Sequence, residues 1–446
     1  MTCLEEKNMK TVGFVSLGCS KNRVDSEVLL GLLKEAGYRI VKDPAQAETI
    51  VVNTCGFILP AKEESISTIF EMAEYKTTGQ LKTLIVTGCL VQRYGEELKE
   101  EIPEIDILMG VAEYSRIFEA IEQANAGQKP LFTGDGDRFF KSPRVLTTPP
   151  YSAYVKISDG CDNQCTYCAI PLIRGRYHSR PYDDIVEECR DLAKKGVHEL
   201  TLIAQDTSRY GNDFAERKLL LPSLLKDIHD IDELHWLRVL YCYPDTVNEE
   251  LLKTMASLPK ACAYLDLPLQ HINARLLKAM NRRGTPGHIK EQIRRCRDYG
   301  IAVRTTMIVG FPGETEEEFE ELMDFVTETR FDRLGAFAFS PEEGTVAADM
   351  PGQLPEEIKQ ERLDRLMLLQ QEISADVCAG RIGETCEVLV EGRRHGRYYG
   401  RSRLEAPEID GKILFAGSDV LKPGQYTRVK ITSSSEYDLI GEAVSE

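Results

Sequence analysis

Within fourteen residues, SDGCDNQCTYCAIP at 158–171, the chain sets Cys161, Cys165 and Cys168 at CxxxCxxC spacing. Three thiolates on one tight loop can hold three corners of a cubane iron–sulfur cluster, which leaves the fourth iron open to another molecule. A zinc knuckle would need a fourth protein ligand, and the nearest candidate is His178, ten residues past Cys168 in a charged segment. The loop follows a strand-like run at 153–158, so the surrounding fold must display a loop at a strand's C-terminal end.

The rest of the chain supplies such a frame. Six strand-like runs recur at 153–158, 199–203, 237–242, 262–267, 303–309 and 334–339, most of them separated by helical patterns. Six units are too few for a complete eight-unit barrel but suit an open, partial one with its site at the strand C-terminal ends. A charged helical stretch at 355–378 leads out of it. Before it, the apolar runs TVGFVSL, TIVVNTC and TLIVTGC alternate with helical stretches at 25–36, 61–75 and 113–124, an α/β pattern with a parallel sheet. After it, five short β-rich runs broken by Gly and Pro read as a small five-stranded barrel. The expected division is an N-terminal domain at 1–145, with 126–150 as linker, a partial barrel at 146–379 and an all-β module at 380–446. That agrees with the two to four domains that 446 residues imply.

A second set of cysteines emerges from this frame. Cys19 follows GFVSL, Cys55 follows TIVVN and Cys89 follows TLIVT. The C-terminal ends of neighbouring parallel strands lie along one sheet edge, so the pattern predicts a second three-thiolate site. Gly18, Gly56 and Gly88 flank the three cysteines and would let backbone approach a bulky cluster. Thirteen cysteines are far too few for a disulfide scaffold in a chain this long. The other seven (Cys3, Cys189, Cys242, Cys262, Cys296, Cys378 and Cys386) read as small core residues or bystanders.

CxxxCxxC after the first strand of a partial barrel resembles the radical S-adenosylmethionine (SAM) superfamily. The resemblance implies a [4Fe–4S] cluster whose open iron chelates SAM, and reductive cleavage to a 5′-deoxyadenosyl radical. Tyr167 matches the family's aromatic position beside adenine. Gln205, Asp206 and Tyr210 stand where many members carry Gly-Gly-Glu for the SAM amino group. Tyr243, Gln270 and His271 end the third and fourth strands, and the fifth offers Arg304 and the backbone of Gly310 to Gly313. For Gln270 and His271 the alternative is a hydrogen-bonded loop pair. For GFPGET it is a tight turn opening a capped helix.

SLGCSKNRVDSE, NTCGF and TGCLVQR, taken with the central triplet, resemble the methylthiotransferases along nearly the entire chain. That resemblance implies a second, auxiliary [4Fe–4S] cluster for sulfur transfer, one SAM as methyl donor, a second as radical source, and a C-terminal TRAM barrel. It also implies an electron donor such as flavodoxin or ferredoxin. One branch of the family modifies tRNA adenosines; another modifies the β-carbon of an aspartate in a small-subunit ribosomal protein. The DGCD form, with Asp159 and Asp162 around Cys161, and the stretch RSRLEAPEIDG resemble the ribosomal-protein branch. Charge agrees with it. The net charge is −17, which favours a basic partner over a phosphate backbone, and residues 380–446 hold 10 Lys plus Arg against 11 Asp plus Glu. Glu405, Glu408 and Asp410 are the expected attraction for a basic ribosomal loop. Arg393, Arg394, Arg397, Arg401 and Arg403 beside Tyr398 and Tyr399 form a stripe that could instead stack RNA. A non-catalytic iron–sulfur carrier is the reading outside this class. With no 18-residue apolar run and a charged N-terminus, the expectation is a cytoplasmic protein.

Overall fold

TIVVNT at 49–54 and TLIVTG at 83–88 are buried almost throughout, as strands covered by helices on both faces must be. Their alternating side chains supply two cores. Ile50, Val52, Leu84 and Val86 pack with Ile69, Leu90 and Leu98, while Val51 and Ile85 pack on the opposite face with Leu29, Leu33 and Ile117. The computed structural model describes residues 10–139, 141–417 and 420–444; Cys3 lies outside them. Among the described residues no helix is long and apolar enough to cross a membrane.

The chain forms two compact units. The first comprises the N-terminal stretch up to Pro149 together with Ser158–Arg180 and Ser340–Ala348. Its sheet is built from β1 (Thr11–Ser16), β2 (Arg39–Ile40), β3 (Thr49–Thr54), β4 (Thr83–Gly88), β5 (Ile107–Met109) and β6 (Leu131–Phe132), in the order β2-β1-β3-β4-β5-β6 and parallel throughout. The segment expected to be a linker is tied down. It contains β6, and Arg144, Val145 and Thr147 all hydrogen-bond to Glu27, whose side chain is fully buried. Such polar anchoring has no periodicity to betray it.

The second unit holds β7 (Ser152–Lys156) and, beyond the short ribbon of β8 (Ser158–Asp159) and β9 (His178–Ser179) that belongs to the first unit, strands β10 (Glu199–Ile203), β11 (Trp236–Val239), β12 (Ala261–Asp266), β13 (Ala302–Val309) and β14 (Arg333–Ala338). These six form a parallel sheet ordered β14-β13-β12-β11-β10-β7, the partial barrel expected. The helix Glu356–Ala379 packs on β14. Then β15 (Thr385–Arg394), β16 (Arg397–Arg401), β17 (Ile413–Ala416), β18 (Tyr426–Ser434) and β19 (Leu439–Ala443) close a five-stranded barrel.

The acidic turn of that small barrel is not a docking surface. Glu405 is 1% exposed and its carboxylate binds Arg381 at 2.6 Å, Arg333 at 3.2 Å and the backbone N–H of Ser402 at 2.9 Å. Asp410 accepts from Tyr264 Oη at 2.8 Å. Only Glu408 of the three is exposed. The basic stripe divides likewise: Arg401 is buried, Arg403 donates to the carbonyls of Pro259 and Ala261, and Tyr398 stacks on Phe415 inside the barrel, leaving Arg393, Arg394 and Arg397 exposed. Sequence alone cannot separate a paired buried charge from a solvated one. Glu405→Gln should therefore lower stability by about 2 kcal/mol, the worth of charge-assisted hydrogen bonds, without changing the Michaelis constant for a basic peptide. Thermal unfolding and peptide kinetics check both halves.

Candidate functional site

The row of N-terminal cysteines follows from strand register. Ser16 of β1 pairs with Asn53 of β3, and Asn53 pairs with Thr87 of β4, so three adjacent strands end level. Cys19 then caps the helix Ser20–Glu35, Cys55 directly follows β3, and Cys89 begins the helix Cys89–Glu101. The flanking glycines serve the close approach of these loops to one another. Gly88 has φ +101°, and a Cβ there would stand 2.3 Å from Asn53 Oδ1; one at Gly56 would stand 2.8 Å from Leu90 Cα.

Polar side chains fix the three loops. Asn22, 1% exposed, donates through Nδ2 to the carbonyls of Leu17 and Thr54 and accepts from Cys89 Sγ at 3.4 Å. Ser65 Oγ accepts from the backbone N–H of Cys55 at 3.0 Å. Arg93 donates to the carbonyl of Gly56 at 2.9 Å and pairs with Glu342 at 3.1 Å. Burial pushes Cys55 up to about 12, reinforced by the neighbouring Cys89. Burial also raises Cys89, against the opposing charge of Arg174. Cys19 is exposed at the residue level; against the desolvation of its thiol, Lys21, Arg174 and two backbone N–H groups hold it below its ordinary value. Three thiols at level strand ends, with a buried guanidinium beside one of them, form a donor set that would suit an iron–sulfur cluster as thiolates.

The central triplet lies in a loop closed by the β8–β9 ribbon, with Asp159 opposite His178. The N–H of Cys161 donates to the carbonyl of Gly175 at 3.2 Å, and that of Cys168 to the carbonyl of Cys165 at 3.0 Å. Asp162 accepts from the N–H of Tyr177. All three cysteines are half-buried and outside any disulfide, and Tyr167 between them is half-buried too. His178, the ligand a zinc knuckle would require, is an exposed strand residue. Among the described residues no three Cys, His, Asp or Glu side chains converge tightly enough for a single ion. A cubane binds each thiolate at a different iron and so takes ligands that stand further apart.

One residue outside both cysteine motifs joins the two sites. Arg174, 1% exposed, donates from Nη1 to both oxygens of Asp159 at 3.0 and 3.1 Å. Its Nη2 reaches Asn22 Oδ1 at 2.7 Å, Asp25 Oδ2 at 2.8 Å and Cys89 Sγ at 3.8 Å. The available signal was a lone arginine at the end of the otherwise apolar CAIPLIRG.

In the second unit the proposed SAM residues separate. Gln205, after β10, has a buried side-chain amide with neither nitrogen nor oxygen partnered, and the Gln270 Oε1 is also buried and unpartnered at φ +72°. Both are free to bind a polar ligand. Asp206 is engaged by Ser208 at 2.9 Å and lies 3.5 Å from Arg209. Gly310 donates its N–H to Glu314 at 2.6 Å, and Thr315 and Glu318 form a capping box, so GFPGET is the turn and capped helix of the alternative reading. His271 is buried and bonded to Glu314 and to the N–H of Asn273. Arg304, the third residue of β13, is paired with Asp266 at 2.8 Å and lies 3.9 Å from Asp410.

Residues 11–110 match the uncharacterized protein family UPF0004, residues 155–326 the radical SAM superfamily, and residues 382–444 the TRAM domain. Over 442 residues the chain is 50% identical to the "ribosomal protein uS12 methylthiotransferase RimO" of Pelotomaculum thermopropionicum, covering 97% of this chain and 99% of that one. The chain belongs to the RimO family. The RimO of Desulforamulus reducens is 51% identical over 444 residues, again with 97% and 99% coverage. Among solved structures, the radical SAM methyltransferase TsrM of Kitasatospora setae superposes with TM-score 0.57 at 17% identity, over 74% of this chain and 75% of that one. The cobalamin-dependent radical enzyme OxsB gives 0.51 at 14%, over 82% and 57%. At these identities the last two report the fold alone. A radical SAM domain brings SAM and a [4Fe–4S] cluster to the RimO family.

Proposed function

We propose that the chain is an enzyme that exchanges a hydrogen on the β-carbon of an aspartate in ribosomal protein uS12 for a methylthio group. The observation that carries this is the level row Cys19, Cys55 and Cys89 in addition to the central triplet, in a chain about 50% identical over nearly its full length to proteins named for that activity. When bound, two clusters with open irons would supply the electron that cleaves SAM and the site that carries sulfur. Cys161, Cys165 and Cys168 would hold the first, and Cys19, Cys55 and Cys89 the auxiliary one. Asn22, Ser65 and Arg93 keep the auxiliary loops in place. Within the second unit Gln205 and Gln270 would contact SAM, and Asp206 and Gly310 serve as supports through their bonds to Ser208 and Glu314; on the loop of the central triplet Tyr167 is the residue proposed for SAM. A reduced flavodoxin or ferredoxin in the cytoplasm would be the electron donor.

Gln205→Met removes an unpartnered buried amide. The variant should keep or gain thermal stability while binding SAM about tenfold more weakly, about 1.4 kcal/mol. Anaerobic calorimetry measures the affinity, and an unchanged value would return Gln205 to a structural role.

The deciding experiment for the function is mass spectrometry of ribosomal proteins and of tRNA from a strain lacking the gene. Ribosomal protein uS12 should lose the mass of one methylthio group in exchange for hydrogen, and tRNA should be unchanged. Loss from a tRNA adenosine with uS12 intact would favour the other branch.

A further inference from the structure

Arg174 lies on the chain segment of the central triplet, six residues past Cys168, yet its guanidinium faces the other cysteine row. We propose that Arg174 is the fixed counter-ion of the auxiliary cluster at Cys19, Cys55 and Cys89 and sets its reduction potential. This rests on the auxiliary-cluster reading above.

Three features support it. The guanidinium contacts Cys89 Sγ at 3.8 Å and shares Asn22 Oδ1 with that thiol, so its charge is delivered at a ligand atom. It is excluded from solvent, where a charge acts with little screening. Its orientation is over-determined, since Asp159 holds one nitrogen in a two-oxygen grip while Asp25 and Asn22 hold the other. Other charges at these loops are Asp25 and Asp159, both buried, Lys21 beside Cys19, and the Arg93–Glu342 pair at the carbonyl of Gly56.

A cluster gains negative charge on reduction, so a nearby cation favours the reduced form and a nearby anion the oxidised form. Neutralising Arg174 exposes the cluster to Asp25 and Asp159 and should lower the potential; neutralising Asp25 should raise it. A purely mechanical ion pair would move neither.

The test uses the full chain with Cys161, Cys165 and Cys168 replaced by Ala, reconstituted anaerobically with iron and sulfide and titrated with dithionite under electron paramagnetic resonance. About four irons should remain. Arg174→Gln should shift the reduction equilibrium at least tenfold toward the oxidised form, about 59 mV for a one-electron couple. Asp25→Asn should shift it the opposite way, and Arg174→Lys should restore most of what Arg174→Gln loses. If the Gln variant does not fold, the Asn and Lys variants decide. Four irons with coincident midpoints in Asp25→Asn and the arginine variants would overturn the inference. No iron in the parent variant would overturn the auxiliary-cluster reading instead.

Discussion

Replacing Cys161, Cys165 and Cys168 together by Ala should leave a chain that binds about four irons in place of about eight and forms no 5′-deoxyadenosine from SAM. Replacing Cys19, Cys55 and Cys89 should also leave about four irons, but here SAM cleavage survives while methylthio transfer falls to nothing measurable. The two losses separate because the triads draw on different segments: one on a single loop held by the β8–β9 ribbon, the other on three strand ends brought level by the sheet. Iron analysis and chromatography of the nucleoside product are sufficient. A full iron complement in either variant would mean that the ligands are misassigned, and a loss of SAM cleavage in the second would mean that the central triplet does not act alone.

The second large effect is on stability in acid. Glu199, the first residue of β10, is fully buried and forms a two-pronged bond with Arg401 at 2.7 and 3.0 Å, with Arg238 3.5 Å away and Ser152 donating at 3.1 Å. Desolvation alone would raise this carboxyl. The charges of Arg401 and Arg238 and the hydrogen bonds from Arg401 and Ser152 overcome it, holding the group at about 2 against an ordinary 4.5. A carboxyl whose folded value is depressed stabilises fully above its unfolded value, and the stabilisation is lost as pH falls toward the folded one. About 3 kcal/mol should therefore disappear between pH 4.5 and 2. Urea unfolding at several pH values should show this slope in the wild type. The double variant Glu199→Gln/Arg401→Met should lack that part of it. Arg401→Met alone strands a buried carboxylate and should cost about 3 to 5 kcal/mol at neutral pH. Equal slopes in wild type and double variant would remove Glu199 as the source.

What could be read in advance, and what could not, divides by the kind of force involved. β1, β3 and β4 of the first sheet and the six strands of the second are visible as apolar runs, whereas β2, β5 and β6 are two or three residues long and give no such run; the cysteines are visible because thiols at strand ends have few other uses. The helix after Cys19 was expected at 25–36 but begins at Ser20. Its first turns carry Lys21, Asn22 and Asp25, all buried toward the cysteine loops, and a pattern that counts only apolar residues begins too late. The buried pairing of Arg174, Glu199, Glu405 and Asp410 is hidden in the sequence for the same reason. Each is a charge whose environment is supplied by partners elsewhere in the sequence, Arg401 standing 202 residues from Glu199. In the acidic turn, expected to attract substrate, Glu405 and Asp410 are instead tied into internal contacts with Arg333, Arg381 and Tyr264.

The membership of Ser158–Arg180 in the first compact unit bears on how this protein could be recombined. A chimera that joined the N-terminal part of one relative to the remainder of another at residue 145 would cut at a natural-looking seam. It would also part Asp25 and Asn22 from the Arg174 with which they were matched. Parents that differ in this quartet with Asp159 would yield hybrids carrying every cysteine yet holding an orphaned carboxylate between them. The heritable module is therefore discontinuous: residues up to 149, 158–180 and 340–348 have to be exchanged as a set.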